Sequence, residues 1–302
     1  MKRFLTVAAA LGLAACATAP AAPVATAPKT TAEILAASPA ADWRTLDLPA
    51  TLVMTLAGGR TVVIELNTTF APKTAANILT LARQQYFDGL AVLRVQDNFV
   101  TQWGDPDGET DHPKPLGAAA ARIPAEFSRD RAAGPFVKLP DGDGFAPEVG
   151  FVGGFPVARD RNAAWLTHCY AMVGAGRNND PDSGPGSELY VVIGHSPRQL
   201  DRNITLVGRV VQGMEHLAAL PRGTGPLGFY EQPAQRTAIE SLRIASELPS
   251  GGAAGRLEAL STTSATFTAL IEARRNRRDD WYKVPAGHID LCSVPLPVRA
   301  KP

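Results

Sequence analysis

Cysteine is scarce in this chain: three occur among 302 residues, and Cys16 lies so near the start that only Cys169 and Cys292 remain for the body. At most one internal bridge is therefore open to it. The apolar sequence around both favours inert core thiols; a single bridge in an oxidising compartment is the other reading. An excess of charge of either sign is also missing, with 30 Lys and Arg against 29 Asp and Glu. That balance excludes a dedicated nucleic-acid binder, which needs surplus positive charge to displace counterions. Beyond the first residues no apolar run is long enough to cross a bilayer as a helix. Internal repeats are absent, as are the His-Glu-x-x-His, Gly-x-Ser-x-Gly and Walker phosphate-loop motifs. The five histidines are scattered without ligand spacing. Asp105, Asp107 and Glu109 alternate like the start of a calcium loop, but Thr110 stands where the turn needs Gly and Leu116 where a bidentate Glu belongs. Asn178, Asp180 and Asp182 fail in the same way. No metal site is expected.

The sequence is 45% hydrophobic and 20% charged, so a packed core is feasible. Gly (27) and Pro (25) are plentiful, which suits a loop-rich β protein better than a helix bundle. At the start, Lys2 and Arg3 precede an apolar run from Phe4 to Leu13 that is too short to span a bilayer. Leu13-Ala14-Ala15-Cys16 follows and resembles a bacterial lipobox, in which the Cys becomes the lipidated first residue. Ordinary signal cleavage at Ala15-Cys16-Ala17 is the alternative. With Ala17 and not Asp after the Cys, the lipobox resemblance implies a periplasmic lipoprotein anchored at the outer membrane, its lipid at Cys16 the only membrane attachment. Residues 17–40, rich in Ala, Pro and Thr, read as a tether.

Globular signals begin near Trp43. Thr51-Leu-Val-Met-Thr-Leu-Ala57 and Thr61-Val-Val-Ile-Glu-Leu66 are strand-like runs separated by Gly58-Gly59, a hairpin signal. Pro72 suits a first helical position, and Ala75, Ile78, Leu79 and Ala82 recur at helical spacing, which predicts a helix over 72–84. Residues 92–102, 169–174, 189–193 and 205–211 read as further strands, and 212–220 as a second helix before Pro221. Residues 105–165 read as long and irregular. After residue 248 the character changes: 264–278 reads as a helix with Phe267, Leu270, Ile271 and Arg274 on one side, followed by a Pro-rich tail. Arg274, Arg275, Arg277 and Arg278, followed by Asp279-Asp280, read as a solvated helix face with its counter-charges.

The informative block is Tyr86-Phe-Asp-Gly-Leu-Ala-Val-Leu-Arg-Val-Gln-Asp-Asn-Phe-Val-Thr-Gln-Trp-Gly-Asp-Pro106. It resembles the cyclophilin signature, in which a Tyr-x-Asp-Gly turn leads into a strand bearing Arg, then Phe, then Gln before Gly-Asp. Phe70-Ala-Pro-Lys-Thr-Ala-Ala-Asn-Ile78 is similar to the family's first helix. Tyr170-Ala-Met-Val-Gly-Ala-Gly176 and Gly186-Ser-Glu-Leu-Tyr-Val-Val-Ile193 resemble its central strands. Leu200-Asp201 with Thr205-Leu-Val-Gly-Arg-Val-Val-Gln-Gly-Met214 resembles its closing strand and second helix. The match is collinear over roughly residues 50–220, and several blocks in family order are specific where one is weak. The resemblance implies a mainly β fold: a closed eight-stranded antiparallel barrel capped by two helices. The expected organisation is a leader over 1–16, a tether over 17–40, the barrel domain over 41–248 with an insertion at about 106–167, and an extension over 249–302.

It also implies peptidyl-prolyl cis-trans isomerase activity. By position Arg94 matches the catalytic arginine and Gln102 the glutamine beside it. Phe99, Val100, Met172, Tyr190 and Leu200 match the proline pocket, with Tyr190 in place of Phe. The chemistry suits these types. Rotation about an X-Pro amide breaks resonance against a barrier of ~18–20 kcal/mol. In the twisted state the nitrogen gains a lone pair, and a fixed guanidinium bonds it more strongly than it bonds the planar amide. No nucleophile, proton relay or cofactor is needed. Taken singly, Arg94 reads better as a surface ion-pair residue and the apolar residues as core packing; taken together in family order, they read as the site.

Departures from the family pattern are Leu93 for His, Gln199 for the rim Trp, Ile204 for a pocket His, Val173-Gly174 for Ala-Asn and Glu188 for Gln. They bear on substrate-backbone contacts and imply weak cyclosporin binding. The expected partners are proline-containing polypeptides, exported proteins above all, acted on by a monomer that binds no nucleic acid. The competing expectation is a catalytically weak module that grips proline-containing segments as a chaperone or envelope scaffold. Within the insertion, Ile123-Pro-Ala-Glu-Phe127 resembles a segment of bacterial members; the glycines and aromatics over 145–156 fit an extra groove wall or a covering loop equally.

Overall fold

A computed structural model describes residues 29–277 and 281–302. Cys16, the leader and residues 17–28 of the tether lie outside the described residues, as do Arg278, Asp279 and Asp280. The strands in chain order are β1 (Trp43–Thr45), β2 (Thr51–Leu56), β3 (Arg60–Leu66), β4 (Ala91–Val95), β5 (Val100–Gly104), β6 (Arg129–Asp130), β7 (Val137–Lys138) and β8 (Glu148–Val152). They continue as β9 (Phe155–Arg159), β10 (Ala163–Leu166), β11 (Met172–Ala175), β12 (Leu189–Val192), β13 (Leu206–Gln212), β14 (Thr237–Ile244), β15 (Leu257–Leu260) and β16 (Val298–Ala300). The α-helices are α1 (Thr31–Ala36), α2 (Pro72–Arg83), α3 (Met214–Ala218) and α4 (Ala265–Arg275).

Eight strands close a barrel in the order β11, β12, β5, β4, β14, β2, β3, β13, with β13 returning to β11. Every pairing is antiparallel. Closure leaves no unpaired barrel edge. The β2–β3 hairpin turns at Gly58 and Gly59, both at positive φ, as a tight two-residue turn of this kind requires. Alternation along β2 sends Leu52, Met54 and Leu56 inward, where they meet Val62 and Ile64 of β3 and Ile239 and Leu242 of β14. Helix α2 closes one end with Ala75, Ile78, Leu81 and Ala82, and Leu217 of α3 joins the same core. Ala71, the residue before α2, offers no capping side chain. Buried Glu126 does so from the insertion, accepting from the amides of Lys73 (3.1 Å) and Thr74 (2.8 Å) and suiting the positive helix end.

Four expectations are corrected here. Residues 105–165 are not merely irregular: β6, β10, β9, β8 and β7 form a five-stranded antiparallel sheet. The tether is shorter than residues 17–40, because Thr30 and Glu33 form a capping box that starts α1. Cys169 and Cys292 are joined as a disulfide and are not free core thiols, their Cα atoms 4.9 Å apart. Their surroundings are apolar, but the long-range packing that brings the pair together is invisible locally. The second helix is shorter than 212–220, since β13 runs through Gln212 and Gly213 turns at φ +87°.

The extension is built onto the barrel domain. Strand β15 lies between β1 and β16 in a three-stranded sheet. Leu257 and Ala259 of β15 share a cluster with Val53 and Val63, the outward residues of β2 and β3. Those two strands are thus buried on both faces, which explains their nearly continuous apolar sequence. Phe267 of α4 meets Phe151 of the insertion edge to face at 5.1 Å. Outside the barrel, Glu65 joins Arg44 (2.5 Å) of β1 and Arg209 (3.6 Å) of β13. Burial lowers the pKa of Arg209 to about 10, with Glu65 opposing the shift. Arg275 of the predicted basic cluster is an anchor to the insertion, pairing with Asp141 at 2.6 Å. Among the described residues no helix is long and apolar enough to cross a membrane.

Candidate active site

Strands β4 and β5 are a hairpin whose turn carries Gln96 to Phe99, with Asn98 at φ +51°. Val92 and Val95 both point into the barrel, three residues apart. Strict alternation cannot do this; the register shifts between Val92 and Arg94, leaving Leu93 as the extra residue of a β-bulge. The bulge turns Arg94 to the outer face, opposite Gln102. Gln102 in turn pairs with Tyr190 on β12, and Tyr190 with Gly174 on β11. Arg94, Gln102, Tyr190 and Gly174 therefore form one row across four strands.

Arg94 is half-buried and held on several sides. Its Nη1 donates to Gln102 Oε1 (3.0 Å), its Nε to the Leu227 carbonyl (2.7 Å) and its Nη2 to Gln96 Oε1. Three of the five guanidinium N–H groups are engaged in this way, leaving two for a ligand. The rings of Phe99 (5.5 Å) and Phe229 (5.3 Å) flank the charge. Gln102 donates through Nε2 to Glu188, so the amide is oriented with its oxygen toward Arg94. Burial lowers the pKa of Arg94, and the nearby Glu188 opposes it. Burial raises that of Glu188, Gln102 and Arg94 acting against the shift.

Next to this group lies a small apolar cluster of Val100, Tyr190 and Val192 with Phe99 and Ile204 packed against it. Val100 and Val192 are opposite one another on the face that carries Gln102 and Tyr190. The structure thus brings together Arg94, Gln102, Phe99, Val100 and Tyr190. Met172 is not with them: paired to Arg209 on β13, it is covered by the insertion and joins the cluster containing Phe151, Cys169 and Leu206. Leu200 ends a short 3-10 turn, partly buried and outside the apolar cluster. Gln199 beside it is exposed.

Sequence reasoning missed Phe229 and Leu227. Phe229 bridges Arg94 in antiparallel fashion, Tyr230 donates its amide to the Leu93 carbonyl (2.9 Å), and both Leu227 and Phe229 are exposed. The only local signal was the Gly-rich stretch Gly223-Thr-Gly-Pro-Leu-Gly-Phe229, which marks a loop but not its destination. A cation held by several hydrogen bonds beside an apolar cluster suits stabilisation of charge on a bound amide. Among the described residues no group of three His, Cys, Asp or Glu side chains is arranged to hold a metal ion.

The family model described as cyclophilin type peptidyl-prolyl cis-trans isomerase/CLD matches residues 51–244, the whole barrel from β2 to β14. Peptidyl-prolyl cis-trans isomerase-like 1 of Gibberella zeae is 28% identical over 186 residues, 62% of this chain and 90% of the relative. The human protein of the same name is 28% identical over 191 residues, 63% of this chain and 87% of its own length. A solved cyclophilin of Hirschia baltica shares the fold, with a TM-score of 0.66 at 24% identity, covering 86% of this chain and 94% of that one. The chain belongs to the cyclophilin-type peptidyl-prolyl cis-trans isomerases, and it is an enzyme of that class.

Proposed function

We propose that this isomerase acts on X-Pro bonds of exported polypeptides and that Arg94 stabilises the twisted amide. The observation that carries the reading is the fixed guanidinium: bonded to Gln102 and Leu227, flanked by Phe99, and beside the apolar cluster of Val100, Tyr190 and Val192, whose character suits a proline ring. Orientation is set before the substrate arrives, so the arginine reorganises little as the amide twists. Gln102 acts through Arg94 and is a positioning residue.

Export and anchoring are part of the proposal. The charged and then apolar start and the box ending at Cys16 support an acylated, periplasmic, outer-membrane lipoprotein. The Cys169–Cys292 disulfide fits an oxidising compartment. The decisive experiment compares wild type with Arg94→Ala on a proline peptide. Loss of ~3–4 kcal/mol of transition-state stabilisation corresponds to a drop of about two to three orders of magnitude in kcat/KM. Gln102→Ala is expected to cost less. An Arg94→Ala enzyme of wild-type activity overturns the mechanism.

A further inference from the structure

From Tyr190 of the apolar cluster runs a chain of buried polar groups that the isomerase chemistry does not use. Arg198 donates to both oxygens of Asp143 (2.9 and 3.2 Å) and, through Nε, to Asp201 (2.6 Å). Asp201 Oδ1 accepts from the backbone amide of His168 and lies 2.9 Å from His168 Nδ1. His168 Nε2 lies 2.8 Å from the Tyr190 hydroxyl. The side chains of Asp143, Arg198, Asp201 and His168 are at most 7% exposed, and Tyr190 is 5% exposed. Desolvation makes each such group costly unless it is bonded, so a complete chain is more than incidental packing.

The chain has a direction. A carboxylate at Nδ1 places the imidazole proton there and leaves Nε2 as an acceptor, so the Tyr190 hydroxyl donates. The imidazole and phenol rings are almost parallel, 7° apart. Gly174 makes the arrangement possible: a Cβ at that position would stand 2.2 Å from the Tyr190 ring. The ring thus lies across β11, and its tip is tied to His168. Asp143 comes from the insertion, and Arg198 and Asp201 from the segment around Leu200, so two loops converge on one pocket residue.

We propose that His168 is a positioning residue for the proline pocket: backed by Asp201, Arg198 and Asp143, it fixes the Tyr190 ring and so sets how tightly the prolyl ring is held. The proposal rests on the reading of the Arg94 groove as the isomerase site. A ring pinned at both ends presents one surface to the substrate, whereas a free ring samples other rotamers and must be ordered on binding. The insertion then contributes to the pocket from behind.

The test measures kcat and KM on a proline peptide for Tyr190→Phe, His168→Gln, the double variant and Arg94→Ala. Tyr190→Phe deletes only the hydroxyl and keeps the apolar bulk, so it remains informative if His168→Gln fails to fold. Tyr190→Phe and His168→Gln are each expected to raise KM about three- to tenfold, and their double variant no further than the worse of the two, as for groups acting through one bond. The hydroxyl proton of Tyr190, slowed in exchange by its bond, is expected to vanish from the NMR spectrum of His168→Gln. Wild-type KM for Tyr190→Phe with an inactive Arg94→Ala overturns this proposal alone, as do additive KM effects. Wild-type activity for Arg94→Ala overturns the site reading and this proposal with it.

Discussion

Glu188 stands where the family resemblance calls for a glutamine, between Gly104 and Gly176, whose missing side chains leave room for it. Its carboxylate can only accept, so it fixes Gln102 with the amide nitrogen inward and the oxygen on Arg94. Protonated, Glu188 can instead donate to the amide oxygen; a flipped Gln102 then turns its NH2 against the arginine. Burial raises the pKa of Glu188, the charge of Glu109 adding to the rise, so this protonation begins above the ordinary range for a glutamate. The wild-type kcat/KM is accordingly expected to fall on the acid side, and the limb is expected to disappear in Glu188→Gln. An unchanged limb in that variant assigns it to another group. The stability sign is opposite. A folded pKa above the unfolded one means that the native state prefers the proton, so the stabilising contribution is present at low pH and lost as pH rises through the folded pKa. Glu188→Gln is therefore expected to melt higher than wild type at neutral pH, with the gap closing toward acid.

At the scale of elements, local signals carried far and then stopped. The β2–β3 hairpin was legible from Gly58-Gly59, and α2 from Pro72 and its apolar spacing. Strand β14 was not read, because its register shifts between Ile239 and Ser241 and its buried residues Ile239, Leu242 and Ile244 do not keep a period of two. The insertion sheet was hidden for a different reason: β6 and β7 are two residues each, and their meaning lies in pairing, not in pattern. At the site, Arg94, Gln102, Phe99, Val100 and Tyr190 were legible as a motif, but the bulge at Leu93 that turns Arg94 outward was not. Met172 packs with Phe151 of the insertion, and motif position says nothing of which loop covers an outer face. The disulfide belongs to this scale too, linking the segment just after the insertion to the tail across a sequence separation of 123. Cross-links that close long loops stabilise by about 2–4 kcal/mol. Cys292→Ser is expected to lower the thermal midpoint by several degrees, as is reduction of the wild type, and kcat/KM is expected to stay within about twofold. A midpoint unmoved by reductant contradicts the stapling role.

On the scale of the whole molecule, the extension over 249–302 is a structural part of the barrel domain and not an appendage. It supplies Leu257, Leu260, Phe267, Leu270, Ile271 and Leu291 to buried clusters shared with barrel and insertion residues. At ~1.5–3 kcal/mol for each buried side chain, the total is on the order of 10 kcal/mol. Net stabilities of whole domains are of the same size, ~5–15 kcal/mol. Removing the extension also uncovers Val53 and Val63 on the barrel wall, strips β1 of its partner strand β15 and leaves Cys169 unpaired. A chain ending at residue 248 is thus expected to aggregate or bind hydrophobic dyes, although it keeps Arg94, Gln102 and Tyr190. Leu270→Asp in the full chain is the finer probe: a buried charge in α4 is expected to cost several kcal/mol, measured by denaturant unfolding. If the extension were only a docking module, the truncated protein would unfold in one transition with the wild-type midpoint and retain full isomerase activity. That result would separate the two parts, and the packing of β15 on β1 and of Leu257 against Val53 argues against it.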